Sequence, residues 1–369
     1  MPITHHLRFT PRLMSPPRRP CPTTKVSVSA LVAVLALGAA SCTSSPATED
    51  PGHPSASSTT DAAVATESAD FPVTIDSSVG SATVTEQPRR VVTLGWGSSD
   101  AAAALGVPPV GIQEISDDTG NYRAVFPWNR GAFAETPELL DPGEVPYEAI
   151  AALHPDVILA VNSGITSGEH ARLTEIAPTV GYPGRSWQTG WEDLTRIVGT
   201  ALGRSDAAES LITDTDRALS ETARNHPEFR GRTVAFAVNT DGTRLREIPV
   251  TDSRYAVLRR LGFAASPTTP GSAASFSVAR SLETLPDIDA DVLVVWHLSD
   301  QARQTLEDQP TFAAIPAVAS GGYLPVTDPL LGLAVSTVTA TSVPWALDHG
   351  YVDGLADATE GGPVPGPRD

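Results

Sequence analysis

The chain has 369 residues, 41% of them hydrophobic and 18% charged, a balance that suits a globular protein rather than a disordered one. Its 43 acids against 25 bases give a formal net charge of −18. That argues against a basic nucleic-acid binder, which needs a cationic field to displace counterions from phosphates. Two cysteines, Cys21 and Cys42, rule out a disulfide scaffold and a cysteine zinc cluster, and the length predicts two or three domains.

Residues 1–41 read as an export signal. Arg8, Arg12, Arg18, Arg19 and Lys25 precede an uncharged stretch from Val26 to Ser41, with no acid before it. As a helix that stretch rises only ~24 Å, short of a ~30 Å bilayer core. A positive start, a short apolar middle and small residues describe a cleavable leader. Its end, Leu37-Gly38-Ala39-Ala40-Ser41-Cys42, resembles a bacterial lipobox, whose cysteine takes a diacylglyceryl group and becomes the mature N-terminus. The alternative is an ordinary signal peptide cut near Ala40. Residues 42–70 are rich in Ser and Thr, carry five acids and no base, and hold Val64 as the only apolar side chain larger than Ala. Such a segment predicts a disordered tether, with a root-mean-square span of ~30 Å.

The folded head begins at Phe71. Residues 71–76 and 81–86 alternate around Gly80 and predict a β-hairpin. Arg90–Leu94 reads as a short buried strand, followed by Gly95-Trp96-Gly97 and an Ala-rich helix over about 99–105. Residues 109–112 give a second strand, and a long loop follows it. A helix is expected over 146–153, a strand over 157–160, a helix over about 168–176, and a closing segment at 178–182. This alternation predicts a parallel α/β sheet. A helical stretch then runs from Trp191 to about Glu228, broken at Gly203. Ser205 is the expected cap of its second part, and Ala207, Leu211, Thr215, Ala218 and Thr222 mark its expected buried face. The second half repeats the pattern, with strands at 232–238, 291–296 and 322–326, and helices at about 254–261, 312–318 and 343–356. The Gly/Pro-rich tail reads as frayed. The predicted domains are an N-terminal α/β lobe at 71–190, a connecting helical segment at 191–229, a C-terminal α/β lobe at 230–357 and a disordered tail at 358–369.

Several segments together carry a family likeness. They are Arg90–Trp96 with Ala103–Ile112, then Glu148–Ala160, Leu173–Pro183 and Thr311–Val318. Their order and spacing over residues 71–357 resemble the ferric-siderophore binding proteins, the extracytoplasmic receptors of iron-uptake ABC transporters. The resemblance implies two parallel-sheet α/β lobes joined by a single long helix, with the ligand cleft between the lobes. It implies a protein that captures a ferric siderophore and delivers it to permease subunits. A haem or corrinoid receptor of the same fold is the nearer alternative.

Ligands of open parallel sheets gather at the carboxyl ends of the strands. Those ends carry Trp96, the loop with Tyr122, Arg123 and Trp128, then Ser163, and then Tyr182, Arg185 and Trp187. In the second lobe they carry Asn239, Arg244, Arg246 and His297. Aromatic walls suit the apolar flanks of an iron chelate, and guanidinium groups suit its iron-bound oxygens. The acidic balance favours a neutral or cationic hydroxamate over a trianionic catecholate.

An enzyme is not expected. The loop Gly95–Ser99 lacks the third glycine of a dinucleotide fingerprint, and no Gly-x-Ser-x-Gly elbow occurs. A secreted α/β hydrolase would need Ser, His and an acid brought together by the fold. No histidine pair shows metal-ligand spacing, so neither a protein-held metal nor a cofactor is expected, and iron enters only within the chelate. The resemblance also implies permease docking through one glutamate on each lobe, at the positions of Glu148 and Glu283. The head is expected to act as a monomer, held by lipid on the extracytoplasmic face of the cell membrane. Replacing Cys42→Ala is expected to move the protein from the membrane fraction to the soluble one. A wild-type protein that is itself found unlipidated and soluble after export would overturn the anchor.

Overall fold

The computed structural model describes residues 71–115, 123–272 and 276–361. The leader, Cys42, the tether, Tyr122 and the chain beyond residue 361 lie outside them. A hairpin of β1 (Val73–Ser77) and β2 (Gly80–Val84) leads into the first lobe, where Ala82 and Val84 pack into its core. The five-stranded sheet contains β3 (Val91–Thr93), β4 (Gly111–Gln113), β5 (Glu138–Leu140), β6 (Val157–Leu159) and β7 (Thr179–Val180). Its order is β5-β4-β3-β6-β7 and every pair is parallel. Strands β3 and β6 are buried along their whole length, as continuous apolar runs in a parallel sheet require. Helices α1 (Ser98–Ala104), α2 (Tyr147–Ala152) and α3 (Ser167–Thr174) connect the strands. Helix α3 opens with a capping box in which Thr166 and Glu169 satisfy each other's backbone N–H. Strand β5 falls inside the loop expected from the sequence, because three residues with one apolar pair carry no readable period.

Helix α4 (Trp191–Leu202) ends at Gly203 in the left-handed region, and α5 (Ser205–Asn225) follows. Arg204, not Ser205, takes the cap position, and no side chain caps that end. The buried stripe is Ala208, Ile212, Thr215 and Leu219, turned by one residue from the expected face except at Thr215. The reason is tertiary. Ala208 packs with Leu194, Val198 and Leu202 in the first lobe's core, whereas Ile212 and Leu219 enter the second lobe's core beside Phe229, Phe236 and Val294. One helix, ~31 Å long, therefore belongs to both cores.

The second lobe is built on a mixed sheet. It contains β8 (Thr233–Asn239), β9 (Leu245–Glu247), β10 (Ala264–Ala265), β11 (Val278–Arg280), β12 (Val292–His297) and β13 (Tyr323–Val326). The order is β11-β9-β8-β12-β13, with β10 beside the start of β8. Strands β8, β12 and β13 are parallel, but β9 turns back antiparallel to β8, and β11 pairs antiparallel with β9. Around them lie α6 (Ser253–Leu261), α7 (Asp300–Glu307), α8 (Pro310–Ala313), α9 (Pro316–Ala319), α10 (Pro329–Thr337), α11 (Ser342–Ala346) and α12 (Val352–Glu360). The single helix expected over 312–318 is split because Pro316 opens α9. The expected C-terminal helix is broken at Leu347–Tyr351, where Gly350 has φ 91°, and it continues through Glu360.

Asn239 and His297, expected in the cleft, are inside this lobe. Asn239 Nδ2 donates to His297 Nδ1 at 2.9 Å and to the Ala302 carbonyl at 2.8 Å. His297 Nε2 lies 2.7 Å from the Tyr323 hydroxyl, which donates to Glu307 at 3.0 Å. This chain of bonds is complete only with a neutral ring protonated on Nε2. Burial, helped by the positive charge of Arg303, pushes the His297 pKa down to about 3. The unfolded chain takes up this proton near its ordinary value of 6.5, the folded chain only near 3, so stability falls as the pH drops through that window. Denaturant unfolding at pH 7 and pH 5 is expected to show a loss on the order of 2 kcal/mol through this one group. His297→Gln should lose correspondingly less, and an identical pH dependence in the variant would refute the assignment.

Candidate functional site

A cleft of ≈ 280 Å³ opens between the lobes. Its first wall begins where β3 ends. Gly95, at φ 76°, lets the chain pass so close to Asn162 that a Cβ there would stand 2.3 Å from the Asn162 carbonyl oxygen. The Trp96 N–H donates to that same carbonyl at 3.0 Å, and this fixes where the indole emerges. Trp187 meets Trp96 edge to face, with centroids 5.9 Å apart and planes at 66°. Trp187 adopts φ 60°, uncommon outside glycine, and its N–H is held by the Ser163 carbonyl at 3.2 Å. Its ring lies over Gly164, where a Cβ would sit 2.5 Å from Nε1. Asn162, Gln188 and Thr189 complete this side.

The opposite wall comes from the turn after β9, from Phe276 ahead of β11, and from the end of α10. Phe276 and Trp187 are the exposed large hydrophobic residues among those described, and both line this cleft. Asp252 caps α6, accepting from the Arg254 backbone N–H at 2.9 Å. Its other oxygen stands 3.2 Å from Arg254 Nη1. The Arg254 side chain is only 8% exposed, yet its Nε has no acceptor and its Nη1 has that ion pair without an aligned hydrogen bond. The Ser336 hydroxyl, also in the wall, is buried and equally without a partner. A buried donor left unmade costs about 1–3 kcal/mol, so an acceptor oxygen brought within reach would stabilise either group.

The structure brings Trp96 and Trp187 together and moves most other expected residues away from the cleft lining. Trp128 packs against Phe126, centroids 4.8 Å apart, and donates from Nε1 to Asp100 at 2.7 Å. Ser163 is buried and donates to the Ala160 carbonyl at 2.8 Å. The Tyr182 hydroxyl donates to the Ile165 carbonyl at 3.1 Å, and its ring packs on the first lobe's core. Arg123 pairs with Glu114 at 2.5 Å on a separate open depression. Arg185 and Arg244 are exposed and do not line the cleft. Arg246 stands behind Phe276, 5.7 Å from its ring, with Nε donating to Ser277 at 3.0 Å. Asn239, Arg244 and His297 were expected at strand ends that the second lobe does not turn toward the cleft. Because β9 reverses direction, the chain reaches the cleft after β9 instead. Arg254 and Phe276 were missed. One signal for Arg254 was present, since an arginine in the first turn opposes the helix dipole and so needs another reason to be there.

Among the described residues no helix is long and apolar enough to cross a membrane, and no group of three His, Cys, Asp or Glu converges as for a metal ion. The chain is similar to the Fe(3+) dicitrate-binding periplasmic protein FecB of Escherichia coli (strain K12), 29% identical over 177 residues that span 46% of this chain and 55% of that relative. It is 25% identical to the ferric enterobactin-binding periplasmic protein FepB of Escherichia coli O6:H1, over 69% of this chain and 83% of FepB. The crystal structure of PiaA from Streptococcus pneumoniae TIGR4 in complex with ferrichrome superposes with a TM-score of 0.69, at 30% identity, covering 79% of this chain and 99% of that one. Residues 91–322 match the family described as periplasmic binding protein, and with two α/β lobes about an interlobe cleft the chain belongs to that family.

Proposed function

We propose that this protein captures a ferric siderophore in the interlobe cleft and hands it to the permease of an ABC-type iron-uptake system. The observation that carries the reading is the pairing of aromatic walls with two buried donors that lack hydrogen-bond acceptors, Arg254 Nε and Ser336 Oγ. An iron(III) chelate offers apolar linkers to the rings and partly negative iron-bound oxygens to the donors. The relatives named for ferric dicitrate and ferric enterobactin, and the PiaA complex with ferrichrome, support the same class of ligand. A haem site is less well supported, because no His, Met, Cys or Tyr lines the cleft among the described residues to take an axial position. In this reading the protein binds and releases its cargo without chemistry, and iron is cargo rather than a resident cofactor. Cys42, lipidated, would hold the head on the extracytoplasmic face of the membrane, and the tether would let it search for its permease.

Binding is tested by tryptophan quenching against a panel of ferric siderophores, haem and a corrinoid. Arg254→Gln is expected to weaken the best ferric siderophore about tenfold or more, as loss of a charged hydrogen bond of ~1.5–3 kcal/mol implies. An unchanged affinity in the variant, or quenching by haem or the corrinoid alone, would overturn the reading.

Permease docking is assigned to Glu148 and Glu283. Both are exposed, Glu148 in the first turn of α2 and Glu283 in the 3-10 turn Leu282–Asp287. Hydrogen bonds from its own backbone N–H and from Ser281 hold Glu283 below the usual carboxylate range, and so ionised. Rim charges of this kind tune association with a cationic partner rather than the cleft itself. Glu148→Ala with Glu283→Ala should keep siderophore affinity and slow uptake in cells. Normal uptake at native expression would remove the assignment.

A further inference from the structure

The charge in the cleft restricts the class of siderophore. The ionisable side chains among its described lining residues are Asp252 and Arg254, and they stand 3.2 Å apart with opposite signs. The amino end of α6 adds no free positive potential, because the Asp252 carboxylate already caps it. Arg246 is turned to Ser277 behind the Phe276 ring. Glu247, buried on the same strand, has its counter-charge in Arg280 at 2.6 Å. A bound chelate therefore meets a wall of zero net charge.

Iron(III) held by three singly charged hydroxamates is neutral. Three doubly charged catecholates leave three negative charges on the complex, and ferric citrate is likewise anionic. Moving such an anion out of water against a neutral, aromatic wall is unfavourable unless cations balance it. A neutral tris-hydroxamate escapes that cost and still presents carbonyl and N–O oxygens around its iron. Arg254 Nε and Ser336 Oγ, on residues of this wall, are buried donors without hydrogen-bond acceptors. Trp96, Trp187 and Phe276 suit the hydrocarbon linkers between the chelating groups. We infer that the cleft selects neutral ferric tris-hydroxamates over catecholate and citrate chelates, an inference that rests on the siderophore reading and narrows it.

The purified full chain is titrated with ferrichrome and ferrioxamine E, two neutral tris-hydroxamates of different backbone, and with ferric enterobactin, ferric citrate and haem. At least one hydroxamate is expected to bind about tenfold or more tightly than either anionic chelate, with little dependence on salt. Ferric enterobactin or ferric citrate binding as tightly as the better hydroxamate would overturn the class while leaving the siderophore reading in place. Binding of haem alone, or of nothing in the panel, would overturn both. Asp252→Asn keeps a good helix cap and removes the negative charge. It should raise affinity for ferric enterobactin relative to ferrichrome by about tenfold, and an unchanged ratio would refute the charge-matching argument.

Discussion

The Asp100 carboxylate is where the two lobes are fastened, and the cleft depends on that bond. Asp100 lies in α1 and is almost fully buried. It accepts from Trp128 Nε1 at 2.7 Å, from Asn129 Nδ2, and from the Thr339 hydroxyl of the second lobe at 3.0 Å. Burial pushes its pKa up, and the three donors pull it back. A buried carboxylate is tolerable only when its lone pairs are filled, so the geometry of all three donors is constrained together. Thr339 directly follows the cleft residues Thr337 and Val338, and Asp100 follows Trp96 by four positions. The bond that joins the lobes therefore also sets the spacing of the cleft walls.

Helix α5 adds a second constraint of a different kind. Its buried stripe is divided between the two cores, so neither lobe can shift far along it without opening packed apolar surface. Trp128 extends this seam, stacking on Phe126 and lying 5.2 Å from Trp345 of the second lobe. The aromatic walls of the cleft are thus held before any ligand arrives, as a largely preformed site requires. Against that rigid frame the unfinished groups stand out. Arg254 is buried with one counter-charge, facing Nη1, and an Nε that has no acceptor, and Ser336 has no partner. Proteins break local rules mainly where function needs it.

Much of the fold was legible in the sequence. Short apolar runs such as Val91–Thr93 and Val157–Leu159 read as buried parallel strands because nothing polar interrupts them. The division at Gly203 was readable from glycine's ease in the left-handed region. Strands β5 (Glu-Leu-Leu), β9 (Leu-Arg-Glu) and β11 (Val-Ala-Arg) were not, since each mixes charged and apolar residues with neither a continuous apolar run nor a clear period of two.

For the site, the sequence by itself determined that aromatic and cationic side chains would follow the strands, and that Trp96 would emerge between two glycines. Only the tertiary structure decided which of them face the cleft. The reversal of β9 is set by pairing with β8, a long-range choice that no local pattern encodes. It carries Arg254 and Phe276 to the cleft and leaves Asn239 and His297 to satisfy each other in the core. Trp128 reads in sequence like Trp96, but Asp100 beneath it claims the indole N–H, and its ring packs beside Trp345 of the second lobe rather than lining the cleft. Residue type was written in the chain, and which partner each polar group would find had to wait for the fold, because a buried donor takes whichever acceptor the packing brings to it.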